Sequence, residues 1–497
     1  MKQPLSLVIL LVLSLVLVFP ACKKKEIPKP VEIPKPVVKD TSKSVVRIFT
    51  TMQNVDFYEP WKPGSTVSLE GCGTILSGGI ILTTAYLANK ANYIEVVKFG
   101  ETKRYVAKVD KIGWDMDLAL LKVDDKDFIV GTEPVEMGGL PQPGDKVIIQ
   151  GGDELSKKEE TISALDLVFC YAGICFIPAL MTNTEIESKI HGCPVFKDGK
   201  FIGIPFDSWH KKEKSGSILP VNVIQRFLRA VEGGRTYDGL TDVGVYAQGL
   251  ESPELRDYYK LPADKTGVVV TEVLWNGASE GLLKEGDVIL AIDGHAVDNE
   301  GYVQLDKSER VICDYLITFY LPGETTEIDI YRAGQPMKIK VPLKAEPKLI
   351  PYRSDNRKPT FFMIGGFVFV PLTNNYLQAV DWKNLKPELK ELYTHGILTP
   401  ERKQVVLLSH VLPADINRGY HYFTNIVVDK VNGVKITEMK DLVTAFNKPK
   451  KGFHVIEFDD HAWNGSMVVF SAKKTKKATE EIMKSLNISS DCSDDLK

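Results

Sequence analysis

Residues 71–88 read GCGTILSGGIILTTAYLA: two runs rich in Ile, Leu and Thr, parted by a Ser-Gly-Gly turn. Branched side chains favour a pleated strand and paired glycines favour a reversal, so the stretch predicts a strand, a turn and a strand. The same grammar extends on both sides. SVVRIFTTM (44–52), YIEVVKFG (93–100), RYVAKVDKIG (104–113), DLALLKV (117–123) and GDKVIIQGG (144–152) are short apolar runs bounded by Gly, Asp or Asn. Short strands at such regular spacing imply an all-β barrel or sandwich from about residue 42. One amphipathic helix follows, VNVIQRFLRAVEGG (221–234), closed by two glycines.

Together with AKVDKIGWDMDLALLKVD (107–124) and IHGCPVFKDGKFIGI (190–204), the opening stretch resembles the chymotrypsin-like domain of the HtrA/Deg proteases. In that family the three stretches supply a histidine, an aspartate and a serine in that chain order. The resemblance covers about 42–495 and is nearest the plant-type Deg proteins with two PDZ-like modules, including KKATEEIM (476–483) and SDDL (493–496). It implies a mainly β chain: a double β-barrel, trypsin-like domain at 42–235, followed by two PDZ-like α+β modules.

The departures from the family pattern decide the chemistry. A serine protease needs an imidazole base within reach of a hydroxyl nucleophile, and a carboxylate to orient the imidazole. The position matching the family histidine is Tyr86, Asp117 matches the aspartate, and the position matching the serine is His191. A count without alignment agrees: all eight histidines lie at or beyond residue 191, so the first half of the barrel has no base to offer. Where the family has Gly-Asn before its serine, this chain has Lys189-Ile190, and a lysine resists backbone conformations open to glycine. The oxyanion-binding amides are thereby disrupted as well. Cys193 as a substitute thiol has no imidazole to activate it, and a Tyr86, Asp117, His191 metal set would be an uncommon one. The reading is a degenerate, inactive triad with no metal and no cofactor; the alternative is an active serine endopeptidase with a rearranged site.

After EGGRTYDGL (232–240), the stretch 243–297 resembles an HtrA-type PDZ domain, placed at 236–345. The resemblance makes VGVY the carboxylate-binding loop, GVVVTEV a core strand and LLKEGDVILAIDG a helix, turn and strand. In this mode a peptide C-terminus adds to a sheet edge, and the amides of Val243, Gly244 and Val245 hold its carboxylate. A second, more divergent PDZ-like unit is expected at 346–497, from FFMIGGFVFVPL (361–372), a strand, Asn-Gly turn, strand and helix in 411–446, and a helical insertion at 385–396.

The first 22 residues, MKQPLSLVILLVLSLVLVFPAC, carry a lysine and then an apolar run of about 15, too short for the roughly 20 that span a bilayer. They read as a signal peptide, 1–21. VFPAC resembles a bacterial lipobox, which implies cleavage before Cys22 and its acylation, with two or more chains giving a stable membrane anchor. Residues 22–41 contain KKK and the repeat EIPKPV twice, a proline pattern that predicts a stiff, extended stalk. A secreted chain permits disulfides, and Cys170 and Cys175 lie close enough in sequence to pair across a loop.

Composition bounds the rest. The 497 residues are 44% hydrophobic and 26% charged, ordinary for globular domains and sufficient for about three of them. A net charge of −3 leaves no basic surplus to follow a phosphate backbone, so nucleic acid is not an expected partner. The expected partners are unfolded or C-terminally exposed polypeptides, a membrane, and further copies of the chain, a trimer by family resemblance. The expected place is the bacterial cell envelope.

Overall fold

The computed structural model describes residues 40–497, apart from 154–156, 171–174, 210–214, 306–309, 352–357, 381–382, 384 and 460–466. The signal peptide, Cys22 and the proline repeat lie outside the described residues.

The alternating runs become strands wherever one face can be buried. Val45–Val55, Pro63–Ile75, Ile81–Thr83, Leu118–Val123, Tyr105–Gly113 and Ala91–Lys98 close, in that order, into a first barrel. Its interior holds Val46, Ile48, Ile75, Ile81, Val96 and Leu121. The second sheet runs Ser208–Trp209, Lys157–Cys170, Lys146–Gln150, Val195–Lys197, Lys200–Phe206, Ser217–Pro220, Cys175–Thr182. Pairing of Lys157–Cys170 with Cys175–Thr182 closes it too. The two barrels meet along a shared core that includes Leu82, Met116, Ile177, Phe201 and Phe227. The site described below lies at this seam.

The expected helix forms over Val221–Val231. Gly233 and Gly234 then take positive φ, +67° and +84°, conformations that end the helix at little cost for glycine. Arg226 on this helix is 1% exposed, and each of its three guanidinium nitrogens has an oxygen partner: Nη2 donates to the Gly239 carbonyl (2.6 Å), Nη1 to the Tyr237 hydroxyl (3.0 Å) and Nε to the Tyr320 carbonyl (3.2 Å). Asp115 lies buried in the same cluster and accepts the Leu240 N–H at 2.6 Å. One cation thus ties the barrels, the connecting segment and the next module, with an exposed Arg229–Glu324 pair (2.6 Å) beside it.

That module is a sheet ordered Val245–Gly249, Val268–Val273, Val288–Ile292, Thr325–Arg332, Gln335–Pro342. The helix expected in LLKEGD is replaced by turns, because the Arg332 guanidinium clamps Asp287 and the Leu282 carbonyl and fixes a tight reversal. The last module is a sheet built on Phe362–Ile364, Phe367–Pro371, Val406–Val411, Ile426–Val431, Phe453–Phe458 and Met467–Ser471. Asn432 and Gly433, both at positive φ, make the turn, and helices cover it at Pro387–His395, Met439–Phe446 and Ala472–Leu486.

The first barrel also reaches the last module directly. The hairpin between Val45–Val55 and Pro63–Ile75 carries Phe57, Tyr58 and Trp61. Tyr58 stacks on His410 at 4.2 Å, Trp61 meets Phe361 edge-on at 5.7 Å, and Phe57 and Trp61 join a core with Leu349, Tyr376 and Leu389.

Candidate functional site

Three chain segments converge where the barrels meet. The turn Ala85–Ala88 presents Tyr86, a residue 47% exposed. Its backbone N–H donates to Asp117 Oδ1 at 2.9 Å, and the Ala85 N–H donates to the Asp117 carbonyl at 3.1 Å. Asp117 is buried and sits at φ +49°, a left-handed conformation that aspartate tolerates better than most residues. Its carboxylate therefore holds a turn by accepting a main-chain amide. His191 follows the short helical turn Ser188–Ile190, and its carbonyl accepts the Cys72 N–H at 3.2 Å.

The electrostatics of His191 separate it from a catalytic imidazole. Burial alone pushes it down to about 4, and no carboxylate raises it. An imidazole paired with an aspartate is displaced upward. At neutral pH His191 is thus a neutral ring with no carboxylate partner tuning it. Tyr86 and Asp117 meet through an amide and a carboxylate, while the segment of His191 is tied by its carbonyl to Cys72 on the strand Pro63–Ile75.

The loop that would carry an oxyanion hole is filled and fastened. Ile190 is buried among Val147, Leu180 and Ile218, while Lys189 turns outward to pair with Glu187 at 2.8 Å. The Gly192 N–H donates to the Pro205 carbonyl (2.9 Å) and the Cys193 N–H to the Ile190 carbonyl (3.2 Å). Gly192 has φ +80°, and a Cβ there would lie 2.4 Å from the Cys72 carbonyl oxygen, so only glycine fits. Thr83 Oγ1 donates to that same carbonyl at 2.7 Å, and Thr74 Oγ1 to the Gly192 carbonyl at 3.2 Å.

A covalent bond completes the fastening. Cys72 and Cys193, 121 residues apart in sequence with Cα atoms 4.8 Å apart, form a disulfide joining the strand Pro63–Ile75 of one barrel to the loop of the other. This corrects the pairing considered for Cys170 and Cys175. Those two face each other in the hairpin register, but Cys175 turns its thiol to the Asp115 carbonyl (3.0 Å), and burial holds that thiol well above its ordinary range, in the protonated form. The bridge also removes Cys193 as a nucleophile. Its sequence signal was present: Cys72 and Cys193 each lie inside a stretch that the family resemblance brings to the site.

In the first PDZ-like module, the strand Val245–Gly249 forms the sheet edge, with Tyr246, Ala247 and Gln248 exposed. The loop before it is tight. Gly244 has φ +78°, its carbonyl accepts the Leu274 N–H at 3.0 Å, and a Cβ on it would lie 2.6 Å from the Ala278 nitrogen. The Gly244 N–H donates to Asp242 Oδ1, so the chain supplies a carboxylate oxygen at the position assigned to a ligand's carboxylate. Sequence reasoning passed over Asp242, although it stands two residues before that glycine. Val243 is buried in the core.

In the second module, the strand Phe367–Pro371 after the Gly365-Gly366 turn is paired on both sides, by Phe362–Ile364 and Val406–Val411. The outer side of Phe362–Ile364 meets the C-terminal segment, with the Met363 N–H donating to the Asp491 carbonyl at 2.6 Å and Phe362 bridged to Cys492. Among the described residues, no open edge remains beside that turn.

Comparison with known proteins agrees with this architecture. A family model described as a PDZ domain matches residues 350–495. Protease Do-like 2, chloroplastic, from Arabidopsis thaliana is 31% identical over 91% of this chain and 75% of its own length. Protease Do-like 4, mitochondrial, from the same plant is 28% identical over 88% of this chain and 83% of its own. Among solved structures, the HtrA-type protease AlgW with decapeptide is 22% identical, with a TM-score of 0.45, covering 62% of this chain and 97% of that one. With a Do-like relative 31% identical over 91% of the chain and 75% of its own length, and a PDZ match at 350–495 behind two closed barrels, the chain belongs to the HtrA/Deg (Do-like) protease family.

Proposed function

We propose that this chain is a catalytically inactive HtrA/Deg protein that binds polypeptides through its PDZ modules. In this reading it is anchored by an acylated Cys22 in the bacterial cell envelope, where it acts in protein quality control as a scaffold or as a regulator of an active relative. Assembly into trimers follows the family resemblance. The observation that carries the proposal is the pair Tyr86 and His191 at the base and nucleophile positions. Neither supplies an activated hydroxyl: a phenol stands where proton abstraction is needed, and a buried, neutral imidazole stands where attack is needed. The adjoining loop supports the same reading, with the Gly192 and Cys193 amides bonded within the chain and Cys193 held in a disulfide.

Polypeptide binding is supported by the exposed edge Val245–Gly249, to which an extended segment adds as a further strand. The test is direct. The purified protein should neither cleave casein nor take up a fluorophosphonate, and should retard aggregation of an unfolded client at stoichiometric ratios. Fluorophosphonate-sensitive proteolysis that persists in the Tyr86→Phe, His191→Ala double variant would place an active centre elsewhere and end the proposal. Cys22→Ala should release the protein from membranes or leave the precursor uncleaved, read by fractionation and intact mass.

A further inference from the structure

The chain's own carboxylate at the ligand-binding loop of the first PDZ-like module has a consequence for what that module accepts. Asp242 accepts the Gly244 N–H, the Gly244 carbonyl accepts the Leu274 N–H, and the Gly244 Cα lies against the Gly277-Ala278 backbone. An incoming C-terminus would have to displace Asp242 from that amide. It would also enter a field of the wrong sign. Asp314 and Glu346 act on Asp242, and Glu272 and Glu346 act on Tyr246, the first exposed residue of the edge. Two lysines oppose these four carboxylates: Lys348, paired with Glu346 at 2.8 Å, and Lys344, which donates to the Gly277 carbonyl at 3.3 Å. The acidic surplus stands beside an edge that is otherwise intact, since Val245–Gly249 pairs only with Val268–Val273 among the described residues.

We infer that the first PDZ-like module selects chain-internal, extended polypeptide segments carrying a basic side chain, with Asp242 occupying the seat a C-terminal carboxylate would take. This deepens the polypeptide-binding reading above and rests on it. The edge supplies main-chain pairing, and charge complementarity supplies the choice of side chain. A segment continuing past the loop in both directions needs no carboxylate pocket. A lysine or arginine near the Asp242 end gains from Asp242, Asp314 and Glu346, whereas a free C-terminus there is repelled by the same groups. Burial first, then Glu346 and Asp314, push Asp242 up to about 7, and a cation seated beside it would draw it back down.

The experiment is fluorescence anisotropy on the full-length protein in detergent, with three labelled nonapeptides of one valine- and threonine-rich sequence. The first is acetylated and amidated with a central lysine, the second is its free-acid twin, and the third is the capped peptide with glutamate replacing the lysine. Wild type should bind the first two within about twofold of each other and the third at least tenfold more weakly. Asp242→Ala, which frees the Gly244 amide, should make the free acid at least tenfold the tighter of the pair. Asp242→Asn keeps an oxygen on that amide and should reduce the preference for lysine without favouring the free acid. Tenfold tighter binding of the free acid by wild type would overturn the inference and leave polypeptide binding intact. Failure of wild type and Asp242→Ala to bind any of the three would instead refute polypeptide binding itself.

Discussion

Breaking the Cys72–Cys193 bridge should cost the barrels a large share of their stability. The bond closes a loop of 121 residues, and the chain-entropy relation for a loop of that length gives about 5 kcal/mol at 25 °C. Each kcal/mol moves the melting temperature of a domain of 150–250 residues by about 2–4 °C, so the bridge is worth roughly 10–20 °C in the barrel transition. Both sulfurs are buried, which means that reductant alone should act slowly on the native protein and quickly once mild urea opens the seam. The assay is differential scanning calorimetry of three forms: oxidised wild type, wild type reduced in urea and returned to buffer with reductant, and Cys72→Ala, Cys193→Ala. Peptide mapping without reductant should recover the 72–193 cross-link. A reduced form melting within about 3 °C of the oxidised one would refute the staple, as would mapping that finds both thiols unlinked. Reduction should produce no fluorophosphonate labelling, because the loop it loosens carries no serine at position 191.

Other outcomes follow from the same geometry. Tyr86→His with His191→Ser restores two triad residues around Asp117 but leaves Lys189-Ile190 and the bridge; losing one oxyanion donor costs about 10²–10³ in rate, so casein hydrolysis should stay at or barely above background. His410, stacked under Tyr58, is pushed down to about 4 by burial, with Lys62 acting the same way and Glu59 and Asp56 opposing it. Because its folded value is below the ordinary 6.5, the stability it permits is full above pH 6.5 and is lost as pH falls from there towards 4. His410→Phe should therefore reduce the loss between pH 7.5 and pH 5 by about 2 kcal/mol, read from urea midpoints. Arg226→Met leaves the Gly239 and Tyr320 carbonyls and Asp115 without their cation; a cost of about 3–5 kcal/mol is expected, with separate calorimetric transitions for barrels and first PDZ-like module. A single transition shifted by less than about 3 °C would contradict that role.

The parts legible in the sequence were those written locally. Strand runs such as 71–88, the helix closed by Gly233-Gly234 and the Asn432-Gly433 turn each carry their instruction within a few residues. The reading of a degenerate site rests on a different kind of signal: the absence of histidine before residue 191 is a fact about composition, and no folding event can supply one. What escaped were relations between distant segments. Cys72 and Cys193 are joined only by the fold that brings their two stretches together, and closeness in sequence favoured Cys170 with Cys175 instead. Asp242 escaped because its role depends on φ +78° at Gly244, which turns one amide back towards the preceding side chain. The turns at 282–287 escaped because their organiser, Arg332, comes 45 residues after Asp287.

Phe57, Tyr58 and Trp61 bear on how this protein can be taken apart. A fragment ending near residue 345 looks natural on a domain map, since it keeps both barrels and the first PDZ-like module. It would nevertheless strip His410, Phe361, Leu349 and Leu389 from a hairpin tip bearing three aromatic rings. Large apolar side chains uncovered together on a projecting turn invite self-association. Shortened forms made to study ligand binding should therefore replace Phe57, Tyr58 and Trp61 with polar residues, or they will report the stickiness of the cut surface in place of the behaviour of the module.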